Sequence, residues 1–214
     1  MKLLLTLGAA RGLVAGLLVA LVLAAFPGRA QDQAPESSLK GPFLAGWLLV
    51  AAPKMDNPRF AKTVIYMVRH TTSGAFGLII NRAYGTGSMK EFLKGFDIDA
   101  SAVEGDIRLH YGGPVSPGEG FVLHTTDYDS PDTHTVNDQI AMTAEKSVFE
   151  AIAEGNGPRR RLFAFGYAGW GAGQLEGEIK RGDWFSAPAD EKLIFDEDLK
   201  TKWSRASDKV RVKL

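Results

Sequence analysis

The sequence predicts one α+β domain built on a mixed, largely antiparallel sheet with helices packed on its outside. Three observations lead there. The 214 residues, less about thirty at the start that read as an export signal, make one ordinary domain rather than two. In the first half, short apolar and β-branched runs follow one another at hairpin distance. In the second half, single helix-like segments separate such runs, with no clean parallel strand–helix–strand series.

The elements follow in order. Ala45 to Ala51 and Thr63 to Val68 are apolar runs separated by Pro53 and Pro58, and read as strands. Thr71-Thr72-Ser73-Gly74 joins the second run to Ala75 to Asn81 as a hairpin, and Gly77 inside it marks a bulge or a close backbone approach. Ser88 caps a short helix through Phe96, with Met89, Phe92, Leu93 and Phe96 on one face. Strands follow at Ile107–Tyr111 and Gly120–Thr125. Thr143 is expected to cap a helix whose stripe is Val148, Phe149 and Ile152, ended by Gly155. Leu162–Tyr167 reads as a strand leading into a glycine-rich turn at Gly166–Gly173. A helix over Gln174–Lys180, a strand at Trp184–Ser186 and a terminal helix around Asp198–Ala206 complete the chain.

Residues 1–30 read as a secretory signal peptide. Lys2 and Arg11 precede an apolar run from Leu13 to Phe26, Pro27-Gly28 breaks it, and Gly28-Arg29-Ala30 places cleavage after Ala30. Residues 31–41 are a polar linker and 42–214 the globular domain. The expected location is therefore the periplasm or outside the cell, the alternative being an anchor formed by the uncleaved apolar segment. In that alternative alone does the chain touch a membrane.

Composition limits the chemistry. Apolar residues make up 45% and charged residues 23%, as in soluble packed folds. Of 25 Lys and Arg, three lie in the signal, leaving 22 against 25 Asp and Glu, a net charge of −3. Nucleic-acid binding is not expected, because the one basic run is Arg159-Arg160-Arg161. The absence of Cys excludes a thiol nucleophile, a disulfide framework and Cys-ligated zinc. His70, His110, His124 and His134 show no local metal-ligand spacing, and no metal or cofactor is expected. Asp127, Asp129 and Asp132 lack the Gly and the bidentate Glu of a calcium loop and read as a solvated acidic segment.

The glycine-rich segment is the more informative. A strand followed by glycines and a helix start offers backbone N–H groups to a small anionic or planar ligand, and an exposed Trp170 would offer an amphipathic wall. The candidate ligand-binding residues are Gly166, Tyr167, Gly169, Trp170, Gly171 and Gly173, with Asn81 and His124 as neighbours from strand ends. The alternative is that the glycines serve packing of Tyr167 and Trp170 at a bend.

Taken together, the motifs resemble the AlgH/YqgE family of bacteria. The resemblance spans about Phe43 to Ala206 and rests on an ordered set. It comprises Pro53-Lys54-Met55-Asp56-Asn57-Pro58-Arg59-Phe60, His70 with Gly74 to Asn81, and Gly112-Gly113-Pro114-Val115 with Gly120 to His124. Gly166 to Glu176 and Ala187-Pro188-Ala189-Asp190 complete it. It implies a compact AlgH-like fold with a mixed sheet, and a family name inherited from a proposed role in regulating alginate synthesis; it supplies no reaction. The chain departs from relatives in carrying Val68-Arg69 before His70, where Cys-Glu is common, and in its N-terminal signal. The leading functional expectation is an exported binding or regulatory module with an unknown protein or small-molecule partner. The alternatives are an enzyme with a small-ligand site at Gly166–Gly173, and a transcriptional regulator as the family name implies.

Overall fold

Both faces of the central strands are covered, so their sequences run continuously apolar rather than alternating. The structure is a computed structural model describing residues 43–210; the segments read as signal peptide and linker lie outside the described residues. In β1 (Trp47–Ala51), Leu48 and Val50 face an inner core while Leu49 and Ala51 face an outer one. β2 (Val64–Thr71) and β3 (Gly74–Ile79) form the expected hairpin. Its register slips between Met67 and Arg69, opposite Gly77, where an added Cβ would lie 2.6 Å from Ile65 and 2.9 Å from the Tyr66 carbonyl. Gly77 thus marks both a bulge and a close approach.

The remaining elements are β4 (Ala83–Ser88), α1 (Met89–Lys94), β5 (Asp106–Tyr111), β6 (Val115–Thr125), β7 (Thr133–Thr135), β8 (Ile140–Thr143), α2 (Ser147–Ala153), β9 (Arg161–Gly171), α3 (Gln174–Lys180), β10 (Trp184–Pro188), α4 (Glu191–Phe195) and α5 (Leu199–Asp208). The main strand order is β10-β1-β2-β3-β9-β6-β8-β7, with β5 also on β9 and β4 on β5. Only the β5–β9 pairing is parallel among the described residues, so the sheet is mixed and largely antiparallel as expected.

One strand serves both halves of this sheet. β9 pairs β5 and β6 through its first half and β3 through its last four residues. Leu162 and Ala164 face the inner core, but beyond Gly166 the parity reverses: Tyr167 packs on the inner core, while Ala168 and Trp170 face the outer one. Gly166 makes the reversal at φ +69, a bulge conformation that costs L residues strain. It sits against Gly112 and Gly113, where an added Cβ would lie 2.2 Å from the Gly166 oxygen and 2.0 Å from the Tyr167 carbonyl carbon respectively.

The sheet curls around the inner core. Asn137, in the β7–β8 turn, reaches back to donate to the Tyr66 hydroxyl at 3.4 Å. Leu193 and Ile194 of α4 and Ala206 of α5 join the inner core, and Trp203 Nε1 donates to the Ala51 oxygen at 2.9 Å. A third core lies under α1 and α2, where Phe96 stacks on Phe149 at 5.1 Å.

Two expectations are corrected. Thr143 is the last residue of β8, not a helix cap; its buried hydroxyl bonds His124 and Thr133, and α2 starts at Ser147 without a side-chain cap. The segment expected as a turn over Gly166–Gly173 is strand through Gly171, because β3 supplies a pairing partner invisible in the local sequence. Four elements escaped the sequence reading: β4, which is glycine-rich and wholly exposed, the short β7 and β8, and the one-turn helix α4.

Candidate functional site

The loop after β1, the start of α3 and the Arg181–Asp183 turn between α3 and β10 converge on the outer face of β9. In the first of these, Pro53 and Pro58 remove donors, and Asn57 organises a turn in which its side-chain oxygen accepts from Arg59 N at 3.0 Å and its carbonyl from Phe60 N at 2.9 Å. Met55 and Phe60 are thereby pressed against the outer core, leaving Asp56 exposed and Lys54 donating to the Arg181 carbonyl at 2.6 Å.

Across from this loop, α3 is anchored by buried Leu175 and enters through Gly173 at φ +73. Gln174 and Glu178, four residues apart, share one helix face. Gln174 accepts from Gly171 N at 3.1 Å and donates to Glu178 Oε1 at 2.9 Å. The other carboxylate oxygen of Glu178 accepts from the indole N–H of Trp170 and that of Trp184, each at 2.8 Å. The two indoles meet edge to face at 6.0 Å, and Phe60 meets Trp184 the same way at 5.5 Å.

The resulting cleft holds about 450 Å³, with Lys54, Asp56, Phe60, Trp170, Glu178 and Trp184 around it. Its charges are unevenly matched. Arg181 pairs with Asp183 at 3.1 Å, but among the described residues no carboxylate lies within 4.0 Å of the Lys54 ammonium, and no cation within 4.0 Å of Asp56 or Glu178.

The structure divides the residues singled out in the sequence. Gly169 and Trp170 line the cleft. Gly171 and Gly173 flank its helix without entering the lining, and Gly166 is the bulge. Tyr167 points to the opposite face, against Phe76 at 4.6 Å and Phe121 at 6.0 Å. That inner face has a concavity of its own, about 470 Å³, floored by Val68, Phe76, Phe121 and Met142 with Arg69 and His134 on its rim. Asn81 is a bracket: its oxygen accepts from Val64 N at 2.8 Å and its amide donates to the Lys62 oxygen at 2.9 Å. His124 lies opposite Arg161, five residues along β9 from Gly166, and does not join the cleft.

The histidines serve as buried joints. His124 Nδ1 donates to the Thr125 oxygen at 2.9 Å, so Nε2 accepts from Thr143 at 2.9 Å; burial holds its pKa below the ordinary value. His70 Nδ1 accepts from Leu44 N at 3.1 Å and Nε2 donates to Glu176 at 3.1 Å, tying the start of the domain to α3. Burial, then the nearby Lys202 charge, pushes His110 down to about 4. Among the described residues no three His, Asp or Glu side chains converge as a metal site. The basic run is largely engaged, with Arg159 and Arg160 on Glu191 at 2.9 and 3.0 Å. Asp127 accepts from Arg159 N at 3.0 Å and acts as a cross-tie.

Lys54, Gln174, Glu178 and Trp184 were not read as site residues from the sequence. The Gln174–Glu178 spacing was legible, but its meeting with Trp184 depends on β10 pairing back onto β1.

Comparison with known proteins supports this architecture. The family model described as DUF179, AlgH-like, matches residues 48–214. A UPF0301 protein of Rhodospirillum rubrum is 45% identical over 170 residues, covering 79% of this chain and 88% of the relative. One from Methylococcus capsulatus is 48% identical over 162 residues, covering 76% and 88%. The solution structure of the AlgH protein from Pseudomonas aeruginosa superposes with a TM-score of 0.66 at 36% identity, over 84% of this chain and 94% of that one. A crystal structure of a Corynebacterium diphtheriae protein shares the fold, with a TM-score of 0.65 at 21% identity over 80% and 89%.

Proposed function

The chain belongs to the AlgH-like family, and from that premise we propose that it is a small-ligand-binding module whose site is the Trp170–Trp184 cleft. One observation carries the reading. Glu178 is held in a fixed orientation by three neutral donors and left without a cation, beside a concavity flanked by the half-buried Met55 and Phe60. A carboxylate fixed by its neighbours but not neutralised is a preorganised recognition group, since no side-chain entropy is lost when a ligand arrives. The cleft volume lies within the roughly 300–1,000 Å³ usual for small-molecule sites.

Binding rather than catalysis fits the histidines, whose ring nitrogens are occupied by structural partners at His70 and His124. A role outside the cytoplasm is part of the proposal and rests on the charge and cleavage pattern of residues 1–30; mass spectrometry of the native protein should find the mature chain starting at Gln31, and full-length protein in the cytosol overturns that part. A DNA-binding role is disfavoured by the net charge and by the pairing of Arg159 and Arg160 with Glu191.

The indole N–H resonances test the site directly, because the four tryptophans are placed differently. A panel of neutral, anionic, cationic and zwitterionic small molecules at millimolar concentration should include one class that shifts the Trp170 and Trp184 signals. Trp203, bonded to the Ala51 carbonyl, should stay still. If no class moves Trp170 or Trp184, the cleft is not a ligand site.

A further inference from the structure

We propose that the cleft recognises a zwitterionic α-amino acid with an apolar side chain, a statement that rests on reading the cleft as a ligand site and goes on to name the chemistry. The argument starts from unused hydrogen-bonding capacity. An ionised carboxylate offers about four lone-pair positions. Glu178 uses two on Oε2, for Trp170 and Trp184, and one on Oε1, for Gln174. One acceptor position therefore remains on Oε1, attached to a full negative charge. The exposed Asp56 carboxylate lines the same cleft and makes no ion pair among the described residues. Together they suit an ammonium group, with its several donors.

The opposite sign is also present. The Lys54 ammonium has three donors, and the structure engages one of them, on the Arg181 carbonyl at 2.6 Å. That bond fixes the amine at the cleft without neutralising it, leaving two donors for an incoming carboxylate. A ligand bearing only a cation would leave Lys54 unmatched, and one bearing only an anion would face Asp56 and Glu178. A molecule carrying both charges satisfies all three side chains.

The walls decide the remainder of the molecule. Half-buried Met55 and Phe60, backed by the buried Trp170 and Trp184, form an apolar flank, which gains from covering an aliphatic or aromatic side chain. About 450 Å³ is room for a single amino acid rather than a folded partner.

The test uses the full chain and four probes followed by the indole N–H resonances: L-leucine, L-phenylalanine, N-acetyl-L-leucine, which lacks the ammonium, and L-leucinamide, which lacks the carboxylate. L-Leucine or L-phenylalanine should shift Trp170 and Trp184, and each modified leucine should bind at least tenfold more weakly than leucine, as expected when a charge-assisted hydrogen bond is lost. Glu178→Gln, which keeps an acceptor for the indoles, should weaken leucine tenfold without weakening N-acetyl-leucine, whose anion no longer faces the Glu178 charge. Lys54→Met, on the exposed loop, should weaken leucine without weakening leucinamide, whose cation no longer faces the Lys54 charge; an unshifted Trp203 signal certifies the fold of both variants. Equal binding of leucine and its two modified forms, or leucine binding indifferent to both substitutions, overturns the amino-acid assignment while the cleft stands as a ligand site. Failure of every class in the broader panel overturns both.

Discussion

Raising the pH from 7 to 10 should stabilise this fold through one amine. Lys202 on α5 is fully buried; its ammonium donates to the Ile194 oxygen at 2.8 Å and the Asp196 oxygen at 3.0 Å, and stands 3.9 Å from the Asp196 carboxylate. Burial lowers its pKa from 10.5 to about 8, against the partial support of Asp196. Between those values the unfolded chain binds a proton that the native state has released, so stability rises with pH across that window and is lost as pH falls toward 8. Integrating the linkage from pH 7 to 10 gives about 2 to 3 kcal/mol, at roughly 1.4 kcal/mol per pH unit. Of the neighbouring charges, Asp198 is held low by its hydrogen bonds from Thr201 and Arg205 is held up by its bond to Asp196, so both stay charged across this range. Tyr66, whose hydroxyl burial pushes upward, begins to oppose the gain near pH 10. Lys202→Met removes the amine but strands two carbonyls, at a cost of roughly 1–3 kcal/mol for each buried unsatisfied group, so its net effect at pH 7 is the smaller signal. The slope is the decisive one. Urea unfolding at pH 7, 8, 9 and 10 should show the wild type gaining about 2 kcal/mol more than the variant, with the Tyr66 contribution cancelling. Parallel pH profiles within about 0.5 kcal/mol would refute the reasoning.

Further outcomes follow from other joints of the fold. At the acid side, His110, with its pKa pushed down to about 4 by burial and Lys202, stays neutral while the unfolded chain takes up a proton; stability should fall by up to about 3 kcal/mol between pH 6.5 and 4, and His110→Asn should flatten that window in the same unfolding assay. Gly113→Ala places a Cβ 2.0 Å from the Tyr167 carbonyl carbon and should cost more than about 4 kcal/mol or prevent folding. Gly118→Ala, with nothing within 4 Å, should change the unfolding free energy by less than about 0.5 kcal/mol; equal effects would contradict the backbone packing at the bulge. Asn81→Ala removes the partners of Val64 N and the Lys62 oxygen, and chemical denaturation should register a loss of roughly 1–3 kcal/mol.

Local sequence determined most of the elements, because their signals are short-range. Gln174–Lys180 is helical over the residues expected, Ser88 caps α1 through Glu91 N, and the β2–β3 hairpin turns at Thr72-Ser73. The ordered motifs also marked the family and, with it, a mixed sheet. What escaped was set by pairing across distance. β4, Ala83 to Ser88, has no buried face to read, and forms because β5 offers its edge. Thr143 carries a good capping hydroxyl, yet buried His124 takes it, since leaving an imidazole nitrogen unmet inside the core costs more than an uncapped helix end. The glycines from Gly166 to Gly171 looked like a turn because glycine is the commonest turn residue; β3 and Gly112-Gly113 make them a strand, with one positive-φ bulge that lets β9 serve two cores. Trp170 was singled out in the sequence as an exposed wall and lies buried at the cleft instead, while Glu178, Trp184 and Lys54 come from three separate elements. Only the return of β10 onto β1 and the fold of the Pro53–Phe60 loop bring them together, because a hydrogen bond depends on position in space and a sequence pattern records only position along the chain.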